Sequence, residues 1–249
     1  MNEPAYARIG IIGALEKEVQ TIFENLEGAS RSHEDGLDVA SGRFGSLEVV
    51  ATVAGMGTVN AAAATQSLIT RHDVDAVIFS GIAGGLNPAL HIEDVVIGST
   101  LRYLDTDTAL IAESAPGLEE FASTPELVEV AASVLEARGY VPAGKEQGAP
   151  DDTAPLQYLP GVIATGDRFV GDAALKEVVI AATQADCVEM EGAAIAHVAA
   201  KNGVDCLILR AISDNCDEEY VALSARSFDL EDYARRASGI VLDILRRIG

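Results

Sequence analysis

One domain spanning residues 1–249, with a mixed β-sheet between two layers of helices, is the fold this sequence predicts: an α/β/α sandwich. Three observations predict it. Short apolar runs of strand type alternate with segments whose apolar residues recur at helical spacing. The length, 249 residues, is within reach of one large α/β domain. Hydrophobic residues make up 49% of the chain, enough for a sizeable core; aromatic residues make up 5% and tryptophan is absent, so Val, Ile, Leu and Ala must fill that core.

The first unit is strand, turn, helix. The run 8–14 (RIGIIGA) is apolar and glycine-ended, and Leu15, Val19, Ile22, Phe23 and Leu26 then follow helical spacing. Glu16 and Glu18 fall in the first helical turn, where acidic side chains suit the helix dipole; spacing alone asks nothing more of them. Residues 37–53 read as two strands, LDVASGRF and LEVVATVA, joined by a Gly-Ser turn. Gly55 and Gly57 then bracket a tight turn before an alanine-rich helix. This is not the GxGxxG dinucleotide fingerprint, and no acid follows at the required place, which excludes nicotinamide binding.

Residues 75–83 (DAVIFSGIA) form a buried-type strand ending in two glycines, and 92–107 give a further strand running into a loop. Asp105 and Asp107 alternate in that loop and read best as a solvated or interface turn. Residues 125–138 form an amphipathic helix opened by Pro125 and stopped by Gly139. The stretch 144–157 is rich in turn formers and reads as an exposed connection to the strand YLPGVIATGD. A helix over 173–183 covers the sheet. Residues 215–227 are charged and without clean period, and 228–249 form a last amphipathic helix.

The stretch with most chemistry in it is 186–214. A β-prone run, Asp186 to Val188, meets Glu189, Met190 and Glu191, and a small-residue helix from Gly192 to Asn202 follows at once. A carboxylate at 191 is placed where free backbone N–H groups point outward, which favours its ionised form. A second strand, Val204 to Ile212, runs into Ser213 and Asp214. Acids at two strand ends suggest one site at the carboxyl edge of a sheet. Taken singly, Asp214 could equally be a turn or capping residue and Glu191 a first-turn helix acid. Phe169, between charged and small residues at a strand end, is poorly placed for a core.

VEMEGAAIAHV followed by RAISD resembles the 5′-methylthioadenosine/S-adenosylhomocysteine nucleosidases, within the purine nucleoside phosphorylase superfamily. GIIGALEKE, SGIAGGLNPALHIEDVVIGS and TGDRFVGD resemble further motifs of that family, in the expected order and over nearly the whole chain. The resemblance implies a nucleoside phosphorylase-like fold, a homodimer, a small nucleoside as substrate and no cofactor. It implies Glu18 as the water-activating base and Asp214 as the acid that protonates the leaving adenine at N7, oriented by Ser213. It implies Glu191 on the ribose hydroxyls, Met190 under the ribose and Met56 as an apolar wall. It implies that backbone groups of Ala83 and Gly84 face the base, that Phe169 stacks on it and that the backbone of Val170 reads its edge. Arg210 is expected to be structural, pairing with acidic neighbours such as Glu18.

The chain departs from the family pattern in two places. Ile82 stands where the family often has a small hydroxyl residue, and TALIAESAPGLEEF replaces an aromatic, glycine-containing segment that reaches a neighbouring subunit's site. Leu110 or Ile111 could supply an apolar lid there, and Tyr220 or Phe228 could close the 5′ side. No arginine precedes Ser80, where phosphorylases of the superfamily place a phosphate ligand, and the loop holding Glu18 reads Glu-Lys-Glu. Both features favour water over phosphate as nucleophile. A phosphorylase, a hydrolase of another nucleoside such as a futalosine-type substrate, and a non-catalytic nucleoside binder are the competing readings.

Composition narrows the partners. A formal net charge of −22 would repel nucleic acid and anionic membrane surfaces. His33, His72, His91 and His197 are scattered without ligand spacing, so no metal site is expected. Cys187, Cys206 and Cys216 are odd in number and lack CxxC spacing; the first two lie in apolar strand-like runs and are expected as buried reduced thiols. No apolar run of about 18 residues occurs, and a cytoplasmic protein is expected.

Overall fold

The computed structural model describes residues 6–13, 16–114, 120–143, 155–217 and 230–249. Within them ten strands form one mixed sheet. The strands are β1 (Arg8–Gly13), β2 (Glu27–Glu34), β3 (Leu37–Phe44), β4 (Leu47–Val53), β5 (Ala76–Gly85), β6 (Val95–Tyr103), β7 (Val141–Pro142), β8 (Gln157–Thr165), β9 (Cys187–Glu189) and β10 (Asp205–Asp214). The helices are α1 (Glu16–Glu24), α2 (Thr58–His72), α3 (Thr108–Ser114), α4 (Pro125–Ala137), α5 (Ala173–Thr183), α6 (Gly192–Asn202) and α7 (Leu230–Ile248).

Strand alternation sorts the core into layers. From β1, β4, β5 and β10, the residues Ile9, Ile11, Val49, Ile78, Leu207 and Leu209 face α1, α4 and α7. Their neighbours on the same strands, Ile12, Val50, Val77, Phe79 and Ile208, face α2 and α6. A smaller cluster gathers Val179 of α5 with Ala164, Val170, Val188 and Cys216. The expected three-layer mixed-sheet architecture is the one observed.

The sheet runs β10-β6-β8-β9-β5-β1-β4-β3-β2, and β10 also pairs with β5. Five strands therefore close on themselves, with β2, β3 and β4 extending from the closed part beyond β1. Strands β1, β4, β5 and β10 are mutually parallel through their pairings, so their carboxyl ends lie at one edge. Strand β9 is antiparallel to β5, with Val188 opposite Gly84. After Val188 the chain therefore runs back along β5, which carries Glu189, Met190 and Glu191 toward the level of Gly81.

Two elements differ from the sequence expectation. Strand β2 is polar (EGASRSHE) and mostly exposed, and only its pairing with β3 defines it. Residues 108–114 form a short helix, α3, and Asp107 Oδ1 accepts from the Ala109 N–H at 3.1 Å, so Asp107 is a helix cap. Leu15, Tyr220, Phe228 and the side chain of Ile111 lie outside the described residues, as do residues 144–154 of the connection 144–157. Among the described residues no helix is long and apolar enough to cross a membrane.

Candidate active site

The carboxyl edge shared by β1, β4, β5 and β10 collects the acids. Glu18 lies in the first turn of α1, directly after β1, and is buried. Its backbone carbonyl accepts from Ser238 Oγ of α7 at 2.8 Å. A Cβ placed on Gly81 would collide with the Arg210 guanidinium and lie 3.6 Å from Glu18 Oε1. Only glycine leaves room there for the cation and the acid to approach the end of β5 together.

Arg210 is the hub of this cluster. It is 1% exposed, and its guanidinium carbon lies 3.8 Å from the centre of the Phe79 ring. Its Nε donates to Glu189 Oε2 at 3.0 Å, and its Nη2 donates to Glu189 and, at 3.3 Å, to Glu191 Oε2. The expected structural role, pairing with acidic neighbours, takes this form: Arg210 bonds Glu189 and Glu191, and the nearby negative charge of Glu18 also favours its charged state. The register explains this, since the end of β9 and the chain that follows it run back along β5 and deliver Glu189 and Glu191 to the Arg210 side chain.

The reason expected for an ionised Glu191 is corrected. Glu191 occupies the N-cap position of α6, but its side chain makes no capping bond. The free N–H groups of that helix go to Glu189, which accepts from Glu191 N at 3.0 Å and from Gly192 N at 2.7 Å, and to Thr165 Oγ1, which accepts from Ala193 N at 2.9 Å. Glu191 turns away and accepts from Gly57 N at 2.7 Å. Burial pushes its pKa up, and the Glu189 charge pushes it further. Arg210 and the N–H groups of Gly57 and Met190 act in the opposite direction and hold the carboxylate. Glu189 is thus the residue that sequence reasoning passed over. The signal was the Glu-Met-Glu alternation, which places both acids on one side of the chain.

Asp214 ends β10 at a register irregularity opposite Ala83 and Gly84. It is 6% exposed. Its Oδ2 accepts from Ser213 Oγ at 2.8 Å and its Oδ1 from Cys216 N at 2.8 Å, so the carboxyl orientation is fixed from both sides. Ser213 Oγ also lies 3.2 Å from the Ala83 carbonyl.

A cleft opens in front of Asp214, lined by Gly84, Phe169, Val170, Met190, Glu189 and Arg168 among others. Phe169 is 38% exposed, whereas Val170 is buried. The loop carrying them is tied to α2: Asp167 accepts from Thr58 N at 2.7 Å and from Thr58 Oγ1 at 2.6 Å. Gly57 has no side chain to cap α2, and its φ of 99° suits glycine, so Asp167 serves as the cap from another part of the chain. Met56 in the same turn is 58% exposed and is not among the cleft-lining residues; its neighbour Gly57 makes the contact to Glu191.

The predicted residues therefore fall into two adjoining groups. Asp214, Phe169, Val170, Met190 and Gly84 share the cleft, with Ala83 and Ser213 directly behind Asp214. Glu18 and Glu191 lie with Arg210 and Gly81. Gly84 lies three positions beyond Gly81 on β5, about 10 Å at ~3.3 Å per strand residue. That is a span suited to a sugar at one end and a base at the other. Among the described residues no group of three or more His, Cys, Asp or Glu side chains is arranged to hold a metal. Cys187, Cys206 and Cys216 are all free thiols and buried.

Comparison with known proteins gives concordant results. The model of the phosphorylase superfamily matches residues 8–246. The 5′-methylthioadenosine/S-adenosylhomocysteine nucleosidase of Shewanella sp. strain MR-7 is 35% identical over 218 residues, covering 85% of this chain and 86% of that protein. Its counterpart from Shewanella denitrificans is 36% identical over 218 residues, covering 85% of this chain and 88% of that protein. Among solved structures, the S-adenosylhomocysteine nucleosidase of Streptococcus pyogenes in complex with 5-methylthiotubericidin aligns with a TM-score of 0.82 at 27% identity, covering 98% of each chain. The futalosine hydrolase of Helicobacter pylori aligns with a TM-score of 0.81 at 28% identity, covering 97% of this chain and 98% of that one.

Proposed function

The chain belongs to the phosphorylase superfamily, and from that membership we propose that it hydrolyses the N-glycosidic bond of 5′-methylthioadenosine and S-adenosylhomocysteine. Adenine and the 5-thio-substituted ribose are released, and no cofactor takes part. N-glycosidic cleavage passes through an oxocarbenium-like ribosyl group. It needs an acid for the leaving base, a positioned water and a grip on the sugar.

Asp214, held by Ser213 and the Cys216 N–H, protonates N7 so that adenine leaves neutral. Phe169 stacks on the base, and Val170, Ala83 and Gly84 surround it. Glu191 accepts from the ribose hydroxyls and, as an anion near C1′, stabilises the developing positive charge. Met190 packs under the sugar. Glu18 accepts a proton from the attacking water. Arg210 is a positioning residue: it neutralises Glu189 and keeps Glu191 charged although both are buried.

One observation carries hydrolysis over phosphorolysis. Among the described residues, Arg210 at the sugar end already bonds two carboxylates, with a third acid, Glu18, nearby. A phosphate dianion brought there would have to compete with Glu189 and Glu191 for the guanidinium. Adenine release from a panel of 5′-substituted adenosines, with and without phosphate, tests this.

A second reading, hydrolysis of another 5′-substituted nucleoside, is favoured by the likeness to a futalosine hydrolase structure; the same panel, extended to futalosine, separates the two. Binding of adenine without turnover of any substrate would instead mark a non-catalytic binder. We also propose a homodimer, in keeping with the large exposed side chains of Met56 and Val59 at the start of α2, and a cytoplasmic location, in keeping with the three free thiols.

A further inference from the structure

The acid end of the cleft is strapped by a cation that the mechanism above does not use. Helix α5 begins just after the loop that carries Phe169 and Val170, and Asp172 caps it by accepting from Leu175 N at 2.9 Å. The next residue, Lys176, reaches back to the turn after β10, where its Nζ donates to the Asn215 carbonyl at 2.7 Å. A cation in the first turn of a helix is opposed by the helix dipole, so α5 itself does not favour a lysine at this position. Lys176 joins two walls of one cleft, the Phe169–Val170 loop and the Asp214–Cys216 turn.

The choice of carbonyl matters. The Asn215 C=O and the Cys216 N–H are the two ends of one planar peptide group, and that N–H donates to Asp214 Oδ1 at 2.8 Å. A chain of two hydrogen bonds therefore runs from the ammonium, through one peptide plane, to the acid. Bonds in such a chain polarise one another, so a cation on the carbonyl makes the N–H a stronger donor. The turn is also held in an uncommon shape. Cys216 has a φ of 57°, in the left-handed region that residues with a Cβ rarely adopt. Such a conformation persists where the surrounding bonds over-determine it, and here Lys176 holds one end of the peptide and Asp214 the other. Burial pushes the Cys216 thiol up to about 12; the Asp214 charge adds to this and Lys176 opposes it, so ammonium, thiol and carboxyl lie within reach of one another's charge.

We propose that Lys176 is a positioning residue for the acid step, acting on Asp214 through the Asn215–Cys216 peptide. The proposal rests on the assignment of Asp214 as the acid. As the C1′–N9 bond breaks, its electron pair goes to the adenine ring and the Asp214 proton goes to N7. Asp214 is left as a carboxylate, a charge that the ground state lacks. A donor whose bond strengthens as that charge develops lowers the barrier and leaves substrate binding alone. Lys176 strengthens that donor without touching the nucleoside. It is only partly buried, so water screens its charge and the effect is modest.

Two variants test this. Lys176→Met removes the cation and the donor, and Lys176→Arg keeps both. With 5′-methylthioadenosine, Lys176→Met should lower kcat about five- to tenfold with KM within about twofold of the parent value. Lys176→Arg should retain about half the parent kcat or more. A 4-nitrophenyl 5-methylthioriboside, whose nitrophenolate departs without a proton, should be hydrolysed by Lys176→Met at the parent rate. A structural role alone would slow both substrates alike. In an Asp214→Asn background, Lys176→Met should add no further loss, since both act on one step. If Lys176→Met fails to fold, Lys176→Gln takes its place. An unchanged kcat for 5′-methylthioadenosine in the folded variant overturns the proposal. So does an equal loss on both substrates, or a Lys176→Arg enzyme as slow as Lys176→Met. Parent-like turnover of 5′-methylthioadenosine by Asp214→Asn alone would instead defeat the assignment of the acid, a result distinct from each of these.

Discussion

Asp214 and Glu18 are each tied to the proposed reaction through one carboxyl group, so isosteric amides isolate the proton chemistry from the packing. Asp214→Asn and Glu18→Gln should each lower kcat by about 10²–10⁴-fold with the fold intact by circular dichroism; turnover within a few-fold of the parent would refute the role assigned to that residue. Glu191 must be ionised to stabilise positive charge. Burial first, and the Glu189 charge second, raise its pKa above the ordinary 4.5. Activity should therefore fail on acidification at a pH above the ordinary glutamate range. The sign for stability follows from the same shift: the native state binds the proton more tightly than the unfolded chain, so folding stability declines as pH rises from the ordinary value through the raised one. Glu189→Gln removes the like charge and should move the acid limb of kcat to lower pH, as a pH–rate profile would show. An unmoved limb would mean that Glu191 does not govern it. Glu18, Glu191 and Asp214 were legible because each sits in a motif of recognisable order. Glu189 was not, because an acid at a strand end next to a helix reads as an ordinary cap, and its bond to Arg210 exists only once β9 lies antiparallel to β5.

The elements were legible wherever burial imposes a period. Helix α6 falls on the predicted Gly192–Asn202, and α4 and α5 lie within the predicted spans, because small or apolar residues recur at helical spacing and caps or glycines bound them. Strand β2 escaped because it buries almost nothing and carries no alternation; β3 recruits it through backbone pairing alone. The cap on α2 escaped for a similar reason: Asp167 lies 109 residues from Thr58 in sequence. Asp167→Ala should remove two hydrogen bonds that join α2 to the loop holding Phe169. The expected cost is about 1 kcal/mol in denaturant unfolding, with KM raised several-fold and kcat little changed. A larger effect on kcat than on KM would place Asp167 in the chemistry and contradict its role as a tether.

At the scale of the molecule, the three-layer plan followed from alternating strands and helices, but the closure of the sheet did not. Pairing of β10 with both β5 and β6, and of β9 with both β5 and β8, joins segments far apart in sequence, and no local pattern specifies such partners. Closure also encloses Arg210 with Glu189 and Glu191. Arg210→Met would leave two buried carboxylates without their cation, and should cost about 3–5 kcal/mol in chemical denaturation. A cost below 1 kcal/mol would show that water reaches the pair. Hydrolysis, finally, is a property of the whole arrangement: acids from α1, β10 and the turn before α6 brought to the ends of four parallel strands. The most direct test is release of adenine from 5′-methylthioadenosine by the purified protein in phosphate-free buffer. Water as nucleophile predicts full turnover, free 5-methylthioribose as product and no change when phosphate is added. Turnover that requires phosphate, with the sugar recovered as its 1-phosphate, would contradict it.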